Sequence, residues 1–110
     1  MITTHVLDTS AGRPGKAIAV ELERADGTLW KLVGGGITDD DGRLRTLTQP
    51  GPVAPGTYRI RFQTGAYFAA QGTAGFFPVV EVQFTIADGA QHYHVPLLLS
   101  PFGYSTYRGS

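Results

Sequence analysis

The residues with the most chemical promise are the histidines of "HYHVPLLLSPFGYSTYRGS", the last stretch of the sequence. Residues i and i+2 of a β-strand project from one face, so His92 and His94 point the same way while Tyr93 and Val95 point to the other. That face carries two imidazoles, whose ordinary pKa lies near neutrality. His94 runs on into Pro96, Leu97, Leu98 and Leu99, so its ring stands beside apolar surface, where burial tunes its basicity. Two chemistries fit. With His5 the pair has the three-nitrogen ligand set of a catalytic zinc site. The alternative is metal-free hydrolysis, in which one imidazole takes a proton from water and a guanidinium such as Arg43 stabilises the developing anion. From the pattern alone, a surface charge beside a turn is the favoured reading of Arg43.

Other signatures fail. "TDDDG" resembles a calcium loop, but Ile37 and Thr48 stand where acidic ligands are needed, so Asp39, Asp40, Asp41 and Gly42 read as a turn. "GRPGK" has the wrong glycine spacing for a phosphate loop, and Ala17 replaces the magnesium-binding hydroxyl. No G-x-S-x-G elbow is present. The absence of cysteine excludes disulfides and thiolate catalysis. Nine basic and nine acidic side chains cancel, leaving no global field to draw the protein onto nucleic acid or an anionic membrane. No signal-peptide pattern and no apolar run of ~20 residues is seen, so a cytoplasmic protein is expected.

Strands must position these groups. Val20 and Leu22 alternate with Glu21 and Glu23, and Tyr58, Ile60 and Phe62 with Arg59, Arg61 and Gln63. Similar runs at 4–8, 28–33, 43–47, 79–87, 91–99 and 104–108 bring the total to about eight, divided by Gly, Pro and Asp clusters such as "GGGITDDDG". "GAYFAAQG" is the one plausible helix, two turns at most. Without repeats or linkers, residues 1–110 read as one domain, an all-β sandwich of two four-stranded antiparallel sheets with one short helix. A chain of this length buries about two-thirds of its unfolded surface. The strand at 104–107 looks like an open edge, which invites pairing with a second copy. Pro96 cannot donate to a ladder, so a bulge is expected there.

The sequence as a whole resembles the transthyretin-like 5-hydroxyisourate hydrolases. The resemblance is carried by "THVLDTSAGRPG", "TDDDGR", "GTYRIRFQTGAYF", "FFPVVEVQF" and above all "HVPLLLSPFGYSTYRGS". It implies hydrolytic opening of the six-membered ring of 5-hydroxyisourate to give 2-oxo-4-hydroxy-4-carboxy-5-ureidoimidazoline, without a cofactor. It also implies a homotetramer, a dimer of dimers with the sites in a central channel. The family's catalytic groups fall on His5, Arg43 and His94, with the tail Tyr107, Arg108, Gly109 and Ser110 completing the site. Ser110 is expected to position substrate or share a proton relay, and Gly109 to let the backbone turn. Leu98, on the His94 face, is a candidate substrate contact. His92 has no role that the resemblance supplies. Carrier transthyretins, the alternative class, have lysine at the place of His5, threonine at the place of His94 and a different, longer tail.

Overall fold

A computed structural model describes residues 1–110. The strands are β1 (Ile2–Asp8), β2 (Arg13–Pro14), β3 (Ala19–Asp26), β4 (Leu29–Ile37), β5 (Arg43–Leu44), β6 (Gly56–Phe62), β7 (Val80–Ile86), β8 (Tyr93–Ser100) and β9 (Gly103–Thr106). The single helix, α1 (Thr64–Ala70), follows β6. One sheet has the order β2-β1-β8-β9, with β5 also paired to β1, and the other has the order β4-β3-β6-β7.

Alternation explains the layers. Val20 and Leu22 of β3, Tyr58, Ile60 and Phe62 of β6, and Val80, Val82 and Ile86 of β7 are buried inward. They meet Ile2 and Val6 of β1 and Tyr93, Val95, Leu97 and Leu99 of β8 in one core. Tyr67 and Phe68 of α1 join it, their rings edge to face at 5.2 Å. Beneath them, the buried Asp8 carboxylate accepts from Tyr67 Oη at 2.7 Å, Ser10 Oγ at 2.8 Å and the Ala11 amide at 3.0 Å. Burial pushes its pKa upward, but these bonds together hold it below the ordinary value.

The two outer faces differ in chemistry. Outside β3, β6 and β7, Arg59 pairs with Glu23 at 2.8 Å and Arg61 with Glu81 at 2.8 Å, a network that neutralises itself. Outside β1 and β8 stand His5 and His94.

Three local expectations are corrected. The pairing of β1 with β8 is parallel, from Ile2 opposite Tyr93 to Asp8 opposite Leu99, because the intervening chain builds the other sheet before returning. Pro96 causes no bulge: Leu97 faces Thr106 and His94 faces Gly109 in one unbroken register, and the Thr106 hydroxyl donates to the Pro96 carbonyl at 2.7 Å. The register shift lies in β4 at Val33, between Leu22 opposite Gly34 and Glu23 opposite Leu32. Lastly, β4 continues through Gly34, Gly35 and Gly36, which the sequence suggests as loop. A Cβ at Gly34 would overlap the Leu47 carbonyl, and one at Gly36 would lie 2.9 Å from Leu44 Cδ1. The glycines let residues 44–47 cross the strand closely.

Candidate active site

The turn before β5 delivers Arg43. Asp39 Oδ1 accepts from the amides of Asp41 and Arg43, both at 2.9 Å, and the Asp39 amide donates to the Arg43 carbonyl at 2.9 Å. Asp and Asn favour such turns because the side chain replaces a backbone acceptor. Gly42 closes the turn at φ +76°, and a Cβ there would overlap the Val6 carbonyl. Only glycine fits both conditions. The Val6 amide then donates to the Gly42 carbonyl at 2.8 Å, and Arg43 pairs with His5 across the β1–β5 ladder. The Arg43 guanidinium forms no ion pair or hydrogen bond within the chain, whereas the neighbouring Arg45 lies 3.6 Å from Asp39.

His5 and His94 share the outer face through the parallel register, with Thr3 opposite His94 and His5 opposite Pro96. His5 Nε2 is 2.9 Å from the Asp41 carbonyl, which can only accept, so this nitrogen carries a proton. His94 Nδ1 is 2.8 Å from Thr3 Oγ1, and the same oxygen is 2.8 Å from His92 Nε2. His94 Nε2 has no partner in the chain. The pKa of His94 lies below its ordinary 6.5, first through burial and then through the charges of His5, Arg43 and His92. A neutral imidazole at neutral pH follows.

The tail reaches this ring from the other side. The Gly109 amide donates to the His94 carbonyl at 2.8 Å. Gly109 does not adopt positive φ, so the expected need for a turn is replaced by one for close approach. Together Met1, Thr3, Thr4, Arg43, Arg45, His92, His94 and Ser110 enclose an open cleft of about 220 Å³. No acidic side chain lines it, and two guanidinium groups do. It suits an anion. A larger groove of about 420 Å³ beside Arg24, Lys31 and Tyr58 contains no histidine.

The structure thus brings Arg43, His94 and Ser110 together in one cleft, with His5 at its margin. It does not do so for three others. Leu98 is half-buried on the same face but outside the cleft. Tyr107 and Arg108 line a separate groove toward β7, where the Arg108 guanidinium stacks on Tyr93 at 4.5 Å and donates to Gln91 Oε1 at 2.7 Å. The sequence pattern does not single out Thr3. No three His, Asp or Glu side chains converge as a metal-ligand set, and Thr3 stands between the two rings of the His-x-His pair.

Comparison with known proteins gives concordant results. The model of the HIUase/Transthyretin family matches residues 2–109. A 5-hydroxyisourate hydrolase of Salmonella dublin is 44% identical over 110 residues, 100% of this chain and 81% of that protein. A solved 5-hydroxyisourate hydrolase of Klebsiella pneumoniae superposes with a TM-score of 0.86 at 36% identity, covering 99% of this chain and 98% of that one. A sea bream transthyretin solved with thyroxine superposes with a TM-score of 0.91 at 33% identity, covering 98% and 93%. The backbone is common to both classes, so the side chains of the cleft must separate them.

Proposed function

Since the chain belongs to the HIUase/Transthyretin family, we propose that it hydrolyses 5-hydroxyisourate, working through one domain of residues 1–110. The observation that carries this reading is the placement of His94, whose Nε2 has no partner in the chain, in one cleft with an uncommitted Arg43 guanidinium. Water bound between them gives its proton to His94 Nε2 as its oxygen adds to the ring amide carbonyl. Arg43 neutralises the anionic substrate and the oxyanion, a role for which its freedom from carboxylates suits it. His5, its Nε2–H held by Asp41, turns the other edge of its ring to the reaction as a positioning group. Collapse of the adduct breaks the C–N bond, and the leaving nitrogen takes a proton. Ser110 orients the substrate from the tail, while Tyr107 and Arg108 anchor that tail and Leu98 faces a neighbouring subunit.

The working unit in this reading is a homotetramer, a dimer of dimers in the cytoplasm. Its support is the open edges β7 and β9, the exposed Phe76, Phe102, Tyr104 and Tyr107, and a cleft that a second copy can close. No helix is long and apolar enough to cross a membrane. The test generates 5-hydroxyisourate in place with urate oxidase and follows its ultraviolet decay. Acceleration by the protein supports hydrolysis; binding of aromatic ligands without acceleration would instead favour a carrier.

A further inference from the structure

The Thr3 hydroxyl sits at 2.8 Å from both Nδ1 of His94 and Nε2 of His92. It is 5% exposed, whereas His92 is open to solvent. A hydroxyl has one proton to donate, so the two imidazoles cannot both accept from it. One must donate. For His94 to offer a free Nε2 to water, its own proton must sit on Nδ1 and point at Thr3 Oγ1. The Thr3 proton then points at His92 Nε2.

We propose that this chain is a proton relay, in which Thr3 passes the proton taken by His94 on to His92. The inference rests on the hydrolase reading above. Water gives a proton to His94 Nε2; the Nδ1–H of His94 goes to Thr3 Oγ1; the original Thr3 proton goes to His92 Nε2. Hydroxide is left to form the C–O bond, His94 is again neutral with its proton on Nε2, and His92 holds the positive charge. Nothing is oxidised or reduced. When the C–N bond breaks, His94 Nε2–H is in place to protonate the leaving nitrogen, and the proton on His92 returns through Thr3 to Nδ1.

Electrostatics favours moving the charge outward. An imidazolium at His94 would be half-buried and would face the Arg43 guanidinium, with Arg45 and His5 nearby. The same charge on His92 is hydrated, in a ring whose centroid is 6.4 Å away. A relay therefore lets one histidine serve as base and then acid without holding a cation beside an arginine.

The test measures kcat, KM and rescue by added imidazole in the full chain. Thr3→Val keeps the side-chain shape and removes the hydroxyl; kcat should fall about tenfold or more with KM little changed. Imidazole in the buffer should restore part of it, and Thr3→Ser should retain most of it. His92→Gln, at an exposed position where folding is spared, keeps an acceptor for Thr3 but no proton-binding site. It should show the same loss and the same rescue. Wild-type kcat in His92→Gln, or a loss that imidazole does not relieve, would overturn the relay and leave Thr3 a packing residue. Nitrogen-15 NMR of the resting protein gives a readout independent of turnover: both rings should be protonated on Nδ1. A proton on His94 Nε2 in that spectrum would also refute it. If the wild type fails to accelerate substrate decay, the hydrolase reading falls first, and the NMR result alone judges the hydrogen-bond direction.

Discussion

A Cβ on Gly109 would stand 2.8 Å from Cδ2 of His94, so the tail and the imidazole touch with no room for a side chain between them. The contact lies on the ring edge that includes Nε2, the nitrogen assigned to water. Gly109→Ala should therefore displace either the tail or the ring and lower kcat by about 10²-fold, since misplacing a catalytic group by an ångström costs that much. Thermal unfolding should stay close to wild type because the site lies outside the core. Deleting residues 107–110 should give the same pattern; full activity in both variants would remove the tail from the site.

His94→Asn should leave a folded protein that has lost about 10²-fold or more in rate. In the wild type, kcat/KM should fall as acid protonates His94, at a pH below the ordinary 6.5. The groups facing the ring are His5 on β1, Arg43 on β5, Arg45 just beyond it, His92 before β8 and Ser110 in the tail. Removing the Arg43 charge with Arg43→Gln should move the acid limb to higher pH. It should stay below 6.5, because burial outweighs that charge in depressing the pKa. A pH–rate profile of both proteins checks this.

Gly42→Ala should cost about 1–3 kcal/mol, the range for a side chain forced into positive φ, before the overlap with Val6 is counted. Arg43 is the next residue, so the variant should also bind substrate poorly. Denaturant melts and KM, measured on the same preparation, separate the two effects.

The Asp8 carboxylate contributes to stability against acid. Its folded pKa lies below the ordinary 3.8, so its contribution is complete above 3.8 and is lost as pH falls through the folded value. Tyr67→Phe should cost about 1.5–3 kcal/mol at neutral pH, the worth of a hydrogen bond to a charged group. The variant should also begin to lose the Asp8 contribution at higher pH. Unfolding curves from pH 7 down to about 3 would show whether the two proteins converge in acid.

Much of this site could be read from the sequence, and the exceptions share a cause. Strand parity puts His94 and Leu98 on one face, and a local turn signal precedes Arg43; both are short-range features. Thr3 escapes because threonine is an ordinary strand residue, and its partners lie 89 and 91 positions away. The parallel register that joins them leaves no local mark. Gly34 to Gly36 mislead for a related reason: their glycines answer a crossing segment rather than a turn. The tail motif groups Arg108 with its neighbours, although alternation already separates it from Gly109. Its ring partner, Tyr93, projects inward from β8.

The parallel pairing of β1 with β8 also dictates when this protein can become active during synthesis. The sheet β4-β3-β6-β7 is complete once residue 86 has emerged from the ribosome, and its neighbouring antiparallel strands can zip early. Until β8 arrives, β1 lacks its main partner, and Thr3, His5 and Arg43 have no His94 to face. Joining segments so distant in sequence carries a large loop-closure entropy, so this docking is expected to be the late step. Core closure and assembly of the chemistry are thus one event, and a nascent chain halted before it has neither.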